Sequence, residues 1–201
     1  ELGGEARSMS IVIGGLAEFF LYAVAAFAVL MYSSDLVQPM LYGLCDSLQP
    51  AIGYNWGAQT YDRVKTLVKC VFSATAVVSV FAIGVMFGFS RQIASIFVAG
   101  SETELLDLSA HALKLFSVKF FFWWFGFAAT SFYNAIQKPK NAAILTLATA
   151  LVFPMLMVVL LWPLGLDGLW LNQAASYVPV GIVAFVMLRR TQKELAPQLA
   201  R

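Results

Sequence analysis

The fold is decided in residues 41–69, which read LYGLCDSLQPAIGYNWGAQTYDRVKTLVK. Four of these residues, spaced i, i+3, i+4 and i+7, fall on one stripe of a helix: Asp46, Gln49, Pro50 and Gly53. Pro50 lacks a backbone donor, so we expect it to kink the helix beside the polar residues. The glycines and basic residues that follow predict the end of one membrane helix and the approach to the next.

The composition is that of a membrane protein. Of the 201 residues, 60% are hydrophobic and 12% are charged, whereas an ordinary soluble domain has about 25% charged residues. The net charge of +2 is too small to indicate a nucleic-acid partner, so the lipid bilayer is the expected partner. The sequence contains no phosphate-binding loop, and the single histidine, His111, cannot form a metal cluster alone. We therefore expect no enzyme activity, cofactor or metal centre.

Six apolar segments predict an all-α membrane protein that folds as a single bundle of about six transmembrane helices. Each segment has about 20 residues, which is enough to cross a hydrocarbon core of about 30 Å. A short turn at Ser33, Ser34 and Asp35 is expected to separate the first two segments. The segments are residues 9–32, 36–53, 65–89, 112–137, 141–162 and 169–188.

The basic residues give the expected orientation, because cytoplasmic connections carry an excess of lysine and arginine. With six spans, three basic residues lie on one side of the membrane: Arg91, Lys114 and Lys119. The other ten lie on the opposite side: Arg7, Arg63, Lys65, Lys69, Lys138, Lys140, Arg189, Arg190, Lys193 and Arg201. This distribution predicts that both termini are cytoplasmic.

Three sequence patches resemble the multidrug and toxic compound extrusion (MATE) family of secondary transporters. QPAIGYNWGA at residues 49–58 is similar to the signature that closes the eighth helix of bacterial members. FYNAIQKPKNA at residues 132–142 is similar to the exit from the tenth helix, and LDGLW at residues 166–170 to the turn before the last helix. The resemblance implies one lobe of a two-lobed transporter in the bacterial inner membrane, with a missing N-terminal six-helix lobe as its partner.

The same resemblance allows a second interpretation of the first segment. Residues 23–32, AVAAFAVLMY, are similar to the beginning of the family's eighth helix. In that case the end of the seventh helix is deleted, and Glu18 lies on a stub. A continuous helix over residues 9–53 would be about 67 Å long, which exceeds any bilayer, so we expect the break at residues 33–35.

Glu18 is the leading candidate for ion coupling or substrate binding. If the helix enters the membrane near Met9, its carboxylate lies about 14 Å deep, close to the midplane. Ionisable groups at that depth are costly and are usually functional. The resemblance implies that Glu18 matches the acid of the seventh helix, which would hold a proton, a sodium ion or a cationic substrate. The alternative is that Glu18 snorkels or forms a structural pair.

Other polar residues form a second set of candidates for ion coupling or substrate binding: Asp46, Gln49, Asn55, Tyr133 and Asn134. Pro50 and Gly53 are candidates for gating. Hydrogen bonds between helices would explain the polar residues equally well. The aromatic run at residues 120–127 occupies every face of its helix, so we expect most of it to face lipid.

These features predict part of a secondary antiporter that exports drugs or organic cations in exchange for protons or sodium. One alternative is a lipid-linked-sugar flippase of the same superfamily, which a cationic central cavity would favour. The basic residues nearest to membrane depth, Lys114 and Lys119, are expected toward the outer edge. Another alternative is a truncated, non-transporting half that acts only as an assembly module, because one lobe lacks the opposing wall of an alternating-access cleft.

Overall fold

The computed structural model is an all-α bundle, which confirms the predicted fold class. It describes the backbone of residues 2–98 and 102–199 and the side chains of residues 14–98 and 102–193. The α-helices are α1 (Leu2–Gly57), α2 (Tyr61–Gly88), α3 (Ser90–Phe97), α4 (Thr103–Ser117), α5 (Lys119–Ala135), α6 (Pro139–Leu147), α7 (Phe153–Leu161) and α8 (Gly165–Leu199). A π-helical turn (Ala148–Val152) joins α6 to α7, and a 3-10 turn (Trp162–Leu164) joins α7 to α8.

Helix α1 is continuous, so the predicted turn at residues 33–35 is wrong. The two serines at this position stay helical because their side chains have partners inside the protein. Ser33 donates to the carbonyl of Val29 (2.7 Å), which is the usual bond of a serine to the preceding turn of its own helix. Ser34 is fully buried and binds Lys119 of α5 (2.6 Å). The predicted segments 9–32 and 36–53 are therefore parts of one helix, as in the second interpretation above.

The remaining predicted segments overlap helices of the structure. Segment 65–89 overlaps α2. Segment 112–137 overlaps the end of α4 and all of α5, which meet at Val118 with a bend of 42°. Segment 141–162 overlaps α6 and α7, and segment 169–188 lies within α8. The π-helical turn precedes Pro154, which lies in the first turn of α7, where a missing backbone donor is tolerated.

Helices α7 and α8 form a hairpin. Gly165 reverses the chain with a φ of 59°, a conformation that favours glycine. Gly168 then lies directly against α7, because a Cβ atom at this position would overlap the carbonyl oxygen of Leu161 and lie 3.0 Å from Cβ of Leu164. The absence of a side chain at Gly168 therefore permits the close approach of the two helices.

Helix α5 lies at the centre of the bundle. One core cluster joins it to α1, α2, α6 and α8 around Tyr133 and Leu145, which are both fully buried. A second cluster joins α1, α2, α4, α5 and α8 around Phe116, Phe120 and Trp170. A third, between α1, α3 and α4, closes the end of the bundle where the Gly165 turn also lies.

The outside of the bundle is strongly apolar. By length and composition, three helical stretches of the described chain could cross a membrane, or four if the bent pair α4 and α5 counts as one span: Gly14–Gly57, Tyr61–Gly88 and Pro139–Lys193. The last stretch folds back at Gly165, since residues 146–154 and 173–180 face each other across one cavity. The described chain therefore runs the length of the bundle five times.

Candidate functional site

The continuous α1 moves the predicted midplane position from Glu18 to Asp46. The basic residues after Gly57 mark this end of α1 as a membrane surface, and Asp46 lies about 16 Å from Gly57 along the helix. That depth is near the middle of a core of about 30 Å. Glu18 lies about 42 Å farther along α1, which is more than the whole core. The depth argument made for Glu18 therefore applies to Asp46, and a role for Glu18 stays a prediction of the resemblance.

Asp46 and Gln49 form one polar group at the contact of α1 with α5. Gln49 Nε2 donates to Asp46 Oδ1 (2.6 Å) and to Ser131 Oγ (3.0 Å), and Ser131 donates to the carbonyl of Cys45 (3.3 Å). The Asp46 side chain is exposed on the surface of the lobe. Among the described side chains, no basic group lies within 4.0 Å of its carboxylate. Asp46 is thus an acid that is held in place by an amide, and cation binding by its carboxylate stays a prediction.

The glycine and proline of the stripe differ in their surroundings. Gly53 lies against α5, since a Cβ atom there would be 2.9 Å from the carbonyl oxygen of Ala135. Pro50 is exposed, and α1 remains helical on both sides of it. Gly53 is therefore a close-packing residue, and gating by either residue stays a prediction.

Asn55 closes the turn between α1 and α2. Its side chain donates to the carbonyl of Ala51 (2.8 Å) and accepts from the hydroxyl of Thr60 (2.8 Å). The Thr60 backbone N–H also binds the Asn55 carbonyl (3.0 Å). The Asn55 side chain therefore stabilises the end of α1. It lies about 14 Å from Asp46 along the helix, so the structure does not bring the two side chains together.

Tyr133 and Asn134 also lie apart from Asp46. Tyr133 is fully buried, and its hydroxyl is 3.1 Å from Oγ1 of Thr191 in α8. Asn134 is exposed at the end of α5, where its carbonyl accepts from the Gln137 N–H (3.2 Å). Tyr133 therefore links α5 to α8 within the core.

An aromatic cavity that begins at Tyr42, one helical turn before Asp46, was missed from the sequence. It has a volume of about 410 Å³ and lies between α1, α5, α8 and the stretch from the end of α6 through the π-helical turn to the start of α7. The ring of Phe127 packs against two other rings: its centre is 4.6 Å from that of Tyr42 and 5.4 Å from that of Trp123. The other lining residues are mostly small or polar: Gly126, Thr130, Thr146, Thr149, Ala150, Pro154, Gln173, Tyr177 and Val180. The expectation that most of the aromatic run faces lipid is wrong, because Phe120 and Trp123 are buried and Phe121 is the one exposed aromatic side chain of the run. Since aromatic residues occupy every face of α5, their spacing alone could not have revealed the inward face.

Lys119 is expected toward the outer edge of the span, and no sequence pattern indicates its burial. Its side chain is only 3% exposed. Nζ donates to Ser34 Oγ (2.6 Å) and lies 3.9 Å from the ring centre of Phe116 and 4.9 Å from that of Phe120. The structure thus contains a buried lysine amine between α1 and α5.

Comparison with known proteins identifies the family. The MatE family model matches residues 8–186, which is most of the chain. The chain belongs to the MATE family. It is 23% identical over 167 residues to the multidrug export protein MepA of Staphylococcus aureus, both in strain NCTC 8325 / PS 47 and in strain COL. The match covers 79% of this MATE chain and 36% of each relative.

Two solved MATE structures have the same fold. A MATE protein in complex with MaL6 matches with a TM-score of 0.80 at 19% identity, covering 90% of this chain and 43% of that one. The outward-facing conformation of a multidrug resistance MATE family transporter matches with a TM-score of 0.79 at 20% identity, covering 94% and 44%. The MATE chain described here therefore spans less than half the length of these proteins.

Proposed function

We propose that this chain is one lobe of a secondary antiporter that exports drugs or organic cations in exchange for protons or sodium. The observation that carries this proposal is Asp46, an acid at mid-depth with an amide partner and, among the described side chains, no basic one. A carboxylate in a region of low dielectric constant attracts a cation strongly. Its cost at this depth is offset when the cation binds.

The aromatic cavity fits the same substrate class. Tyr42 lines the cavity and precedes Asp46 by one helical turn, so both side chains lie on the same face of α1. Rings attract cations through their faces and also bury apolar groups. An organic cation with aromatic or alkyl groups would use both features. The MepA relatives are multidrug export proteins, which supports this proposal.

A second lobe is the proposed partner of the exposed face of α1. The matched relatives and structures are more than twice as long as the matched region. An alternating-access cleft requires two walls, and this chain supplies one. The flippase alternative requires a cationic cavity, whereas the aromatic cavity is lined by uncharged residues. The remaining alternative is a non-transporting half, and a measurement of export distinguishes it from a transporter lobe.

The proposed orientation follows from the ends of the helices. The bundle end with residues 58–69, 136–140 and 189–193 carries most of the basic residues and is proposed to be cytoplasmic, in the inner membrane of a bacterium. The C-terminal end of α8 lies there. Because α1 is continuous, its N-terminal end points to the opposite side, which differs from the prediction that both termini are cytoplasmic.

A cysteine-labelling experiment tests this orientation. In a variant whose native cysteines, Cys45 and Cys70, are replaced by alanine, we expect Gln59→Cys to react with a membrane-impermeant maleimide only from the cytoplasmic side. Glu18→Cys lies about 62 Å away along α1 and should react only from the outer side. Protection of Glu18→Cys from both sides would restore the midplane position predicted from the sequence.

Export measurements with two matched substitutions test the role of Asp46. In proteoliposomes that contain the chain with the proposed second lobe, Asp46→Asn should abolish uphill export of ethidium, because the amide cannot balance the cation. Glu18→Gln makes the same chemical change outside the hydrocarbon core and should export at the wild-type rate. Loss of export in Glu18→Gln together with normal export in Asp46→Asn would return the role to Glu18. Equal protein levels in the membrane are the control for folding.

A further inference from the structure

The π-helical turn between α6 and α7 leaves a backbone carbonyl without a helical donor. Within this turn the N–H of Phe153 donates to the carbonyl of Ala148. The carbonyl of Thr149 therefore loses the N–H that would bind it in an α-helix. The next residue along the chain, which would supply the π-helical bond, is Pro154, and proline has no N–H. The Thr149 carbonyl thus has neither its α-helical nor its π-helical partner.

The depth of this carbonyl restricts where it can be tolerated. Thr149 lies about 15 Å along the helix from Pro139, the first residue of α6 at the proposed cytoplasmic end. That depth is near the middle of the hydrocarbon core and close to the depth of Asp46. A free backbone carbonyl at this depth is tolerated only where it is buried in protein or lines a cavity. Thr149 and its neighbour Ala150 both line the aromatic cavity.

Two hydroxyl groups of the cavity wall are also available only as acceptors. Thr149 Oγ1 donates to the carbonyl of Leu145 (2.7 Å), and Thr130 Oγ1 donates to the carbonyl of Gly126 (3.0 Å). A hydroxyl group has one proton and two lone pairs. Because each proton is bound to the threonine's own helix, each oxygen can only accept a hydrogen bond from a ligand.

The other polar side chains of the wall are compatible with the same kind of ligand. The amide of Gln173 and the hydroxyls of Tyr42 and Tyr177 can each accept as well as donate. Hydrogen bonds from a charged donor are stronger than those from a neutral one. A ligand in which methyl groups replace the N–H groups would leave the acceptors of the wall unpaired, and a site of this kind discriminates strongly against such a ligand.

We propose that the aromatic cavity selects organic cations that carry N–H donors, a proposal that rests on the proposed export of organic cations. Protonated amines and dyes with amino groups belong to this class. Fully alkylated cations of the same shape bind more weakly. Thr149 contributes its carbonyl and its hydroxyl oxygen to the ligand. Pro154 acts through Thr149, because it lacks the N–H group that would occupy the carbonyl.

Two rhodamine dyes with the same charge and ring system test this selectivity. Rhodamine 123 carries N–H groups on both nitrogen atoms, and tetramethylrhodamine methyl ester carries methyl groups in their place. Their fluorescence anisotropy measures binding to the complete transporter in nanodiscs, and empty nanodiscs correct for partition into lipid. We expect the wild type to bind rhodamine 123 at least about tenfold more tightly, as the loss of hydrogen bonds from a charged donor predicts.

Restoring the missing backbone donor should remove the preference. In Pro154→Ala the new N–H can bind the Thr149 carbonyl within the π-helical turn. If the turn instead becomes α-helical, the N–H of Phe153 binds that carbonyl. In both cases the carbonyl is no longer available to a ligand. We expect the affinity for rhodamine 123 to fall about tenfold, while the affinity for the methylated dye stays at the wild-type value.

A second variant and a matched control separate selectivity from folding. Thr149→Val removes the hydroxyl acceptor without adding a backbone donor, and it should weaken binding of rhodamine 123 alone, by about fivefold. Pro179→Ala makes the proline change in the interior of α8. The carbonyl that Pro179 leaves free belongs to Ala175, which is not among the residues that line the aromatic cavity. Pro179→Ala should therefore bind both dyes as the wild type does.

A preference for rhodamine 123 that survives in both Pro154→Ala and Thr149→Val would overturn the proposal, because it would show that the methyl groups are excluded by their size. Wild-type binding of both dyes with equal affinity, or of neither dye, would also overturn it. Uphill export from proteoliposomes is measured separately with the same dyes. Export of both dyes at equal affinity would leave the proposed function in place and remove the selectivity. Selective binding without uphill export would remove the proposed function and leave the selectivity.

Discussion

Replacing Gly168 with alanine is expected to prevent formation of the hairpin between α7 and α8. The added Cβ atom would overlap the carbonyl oxygen of Leu161 and lie 3.2 Å from its carbonyl carbon. Both atoms belong to the backbone, so no side-chain rotation can relieve the clash, and α8 must move away from α7. Overpacking costs 1–3 kcal/mol in typical cores, and we expect a loss at the upper end, about 3 kcal/mol.

A second glycine of α8 provides the matched control. Gly181 is in the same helix, and a Cβ atom there would meet no other atom within 4 Å. Gly181→Ala should leave stability unchanged or raise it by up to about 1 kcal/mol, because alanine favours the helix. The midpoint of unfolding in a titration with sodium dodecyl sulfate measures both effects. Equal midpoints for the two variants would show that α7 and α8 are not in close contact at Gly168.

The helical class could be predicted from composition alone, but the division of the helices could not. Residues 33–35 have the composition of a turn, and the length of an uninterrupted helix argued for a break. The helix continues because Ser33 binds its own preceding turn and Ser34 binds Lys119. The second of these partners is 85 residues away in the sequence. Local sequence patterns contain no information about such a bond.

The position of the candidate acid depended on that division. The argument that an acid at the midplane is functional is general, but it selects Glu18 only if the helix begins near Met9. With α1 running to Gly57, it selects Asp46. The stripe of Asp46 and Gln49 was predicted from spacing, and the structure places these two side chains in hydrogen-bond contact (2.6 Å). Spacing within one helix is therefore more informative here than depth in the membrane.

The aromatic cavity forms only when α1, α5, α8 and the stretch from α6 to α7 pack together. The sequence indicates aromatic residues on every face of α5, which permits no choice of an inward face by periodicity. The choice is made by α1 and α8, since Tyr42 and Tyr177 come from these helices. Asn55 and Tyr133 show the opposite case. Both belong to patches that resemble the family. The Asn55 side chain is hydrogen-bonded at the end of α1, and the Tyr133 hydroxyl lies in a core contact with α8.

Truncation of Trp170 is expected to have the second large effect on stability. Trp170 is 2% exposed and lies in the core cluster of α1, α2, α4, α5 and α8. Trp170→Ala would leave a cavity that these five helices cannot close by a local shift. In a bilayer the side chains of separated helices remain in lipid and do not enter water. The stability lost on truncation therefore comes mainly from packing contacts. We expect a cost of about 3 kcal/mol, at the lower end of the range for removing a large core aromatic.

Trp170→Phe distinguishes packing from hydrogen bonding at the same position. Within the described part of the chain, the indole N–H has no hydrogen-bond partner. Phenylalanine lacks this group, so the substitution removes the free-energy cost of burying it. Phenylalanine keeps most of the ring volume, and we expect a change of less than about 1.5 kcal/mol. The detergent unfolding midpoints of both variants measure this difference. If Trp170→Phe destabilises the protein as much as Trp170→Ala, the indole N–H forms a hydrogen bond in the membrane-embedded protein. The stability of the core around α8 would then depend on that bond more than on the volume of the ring.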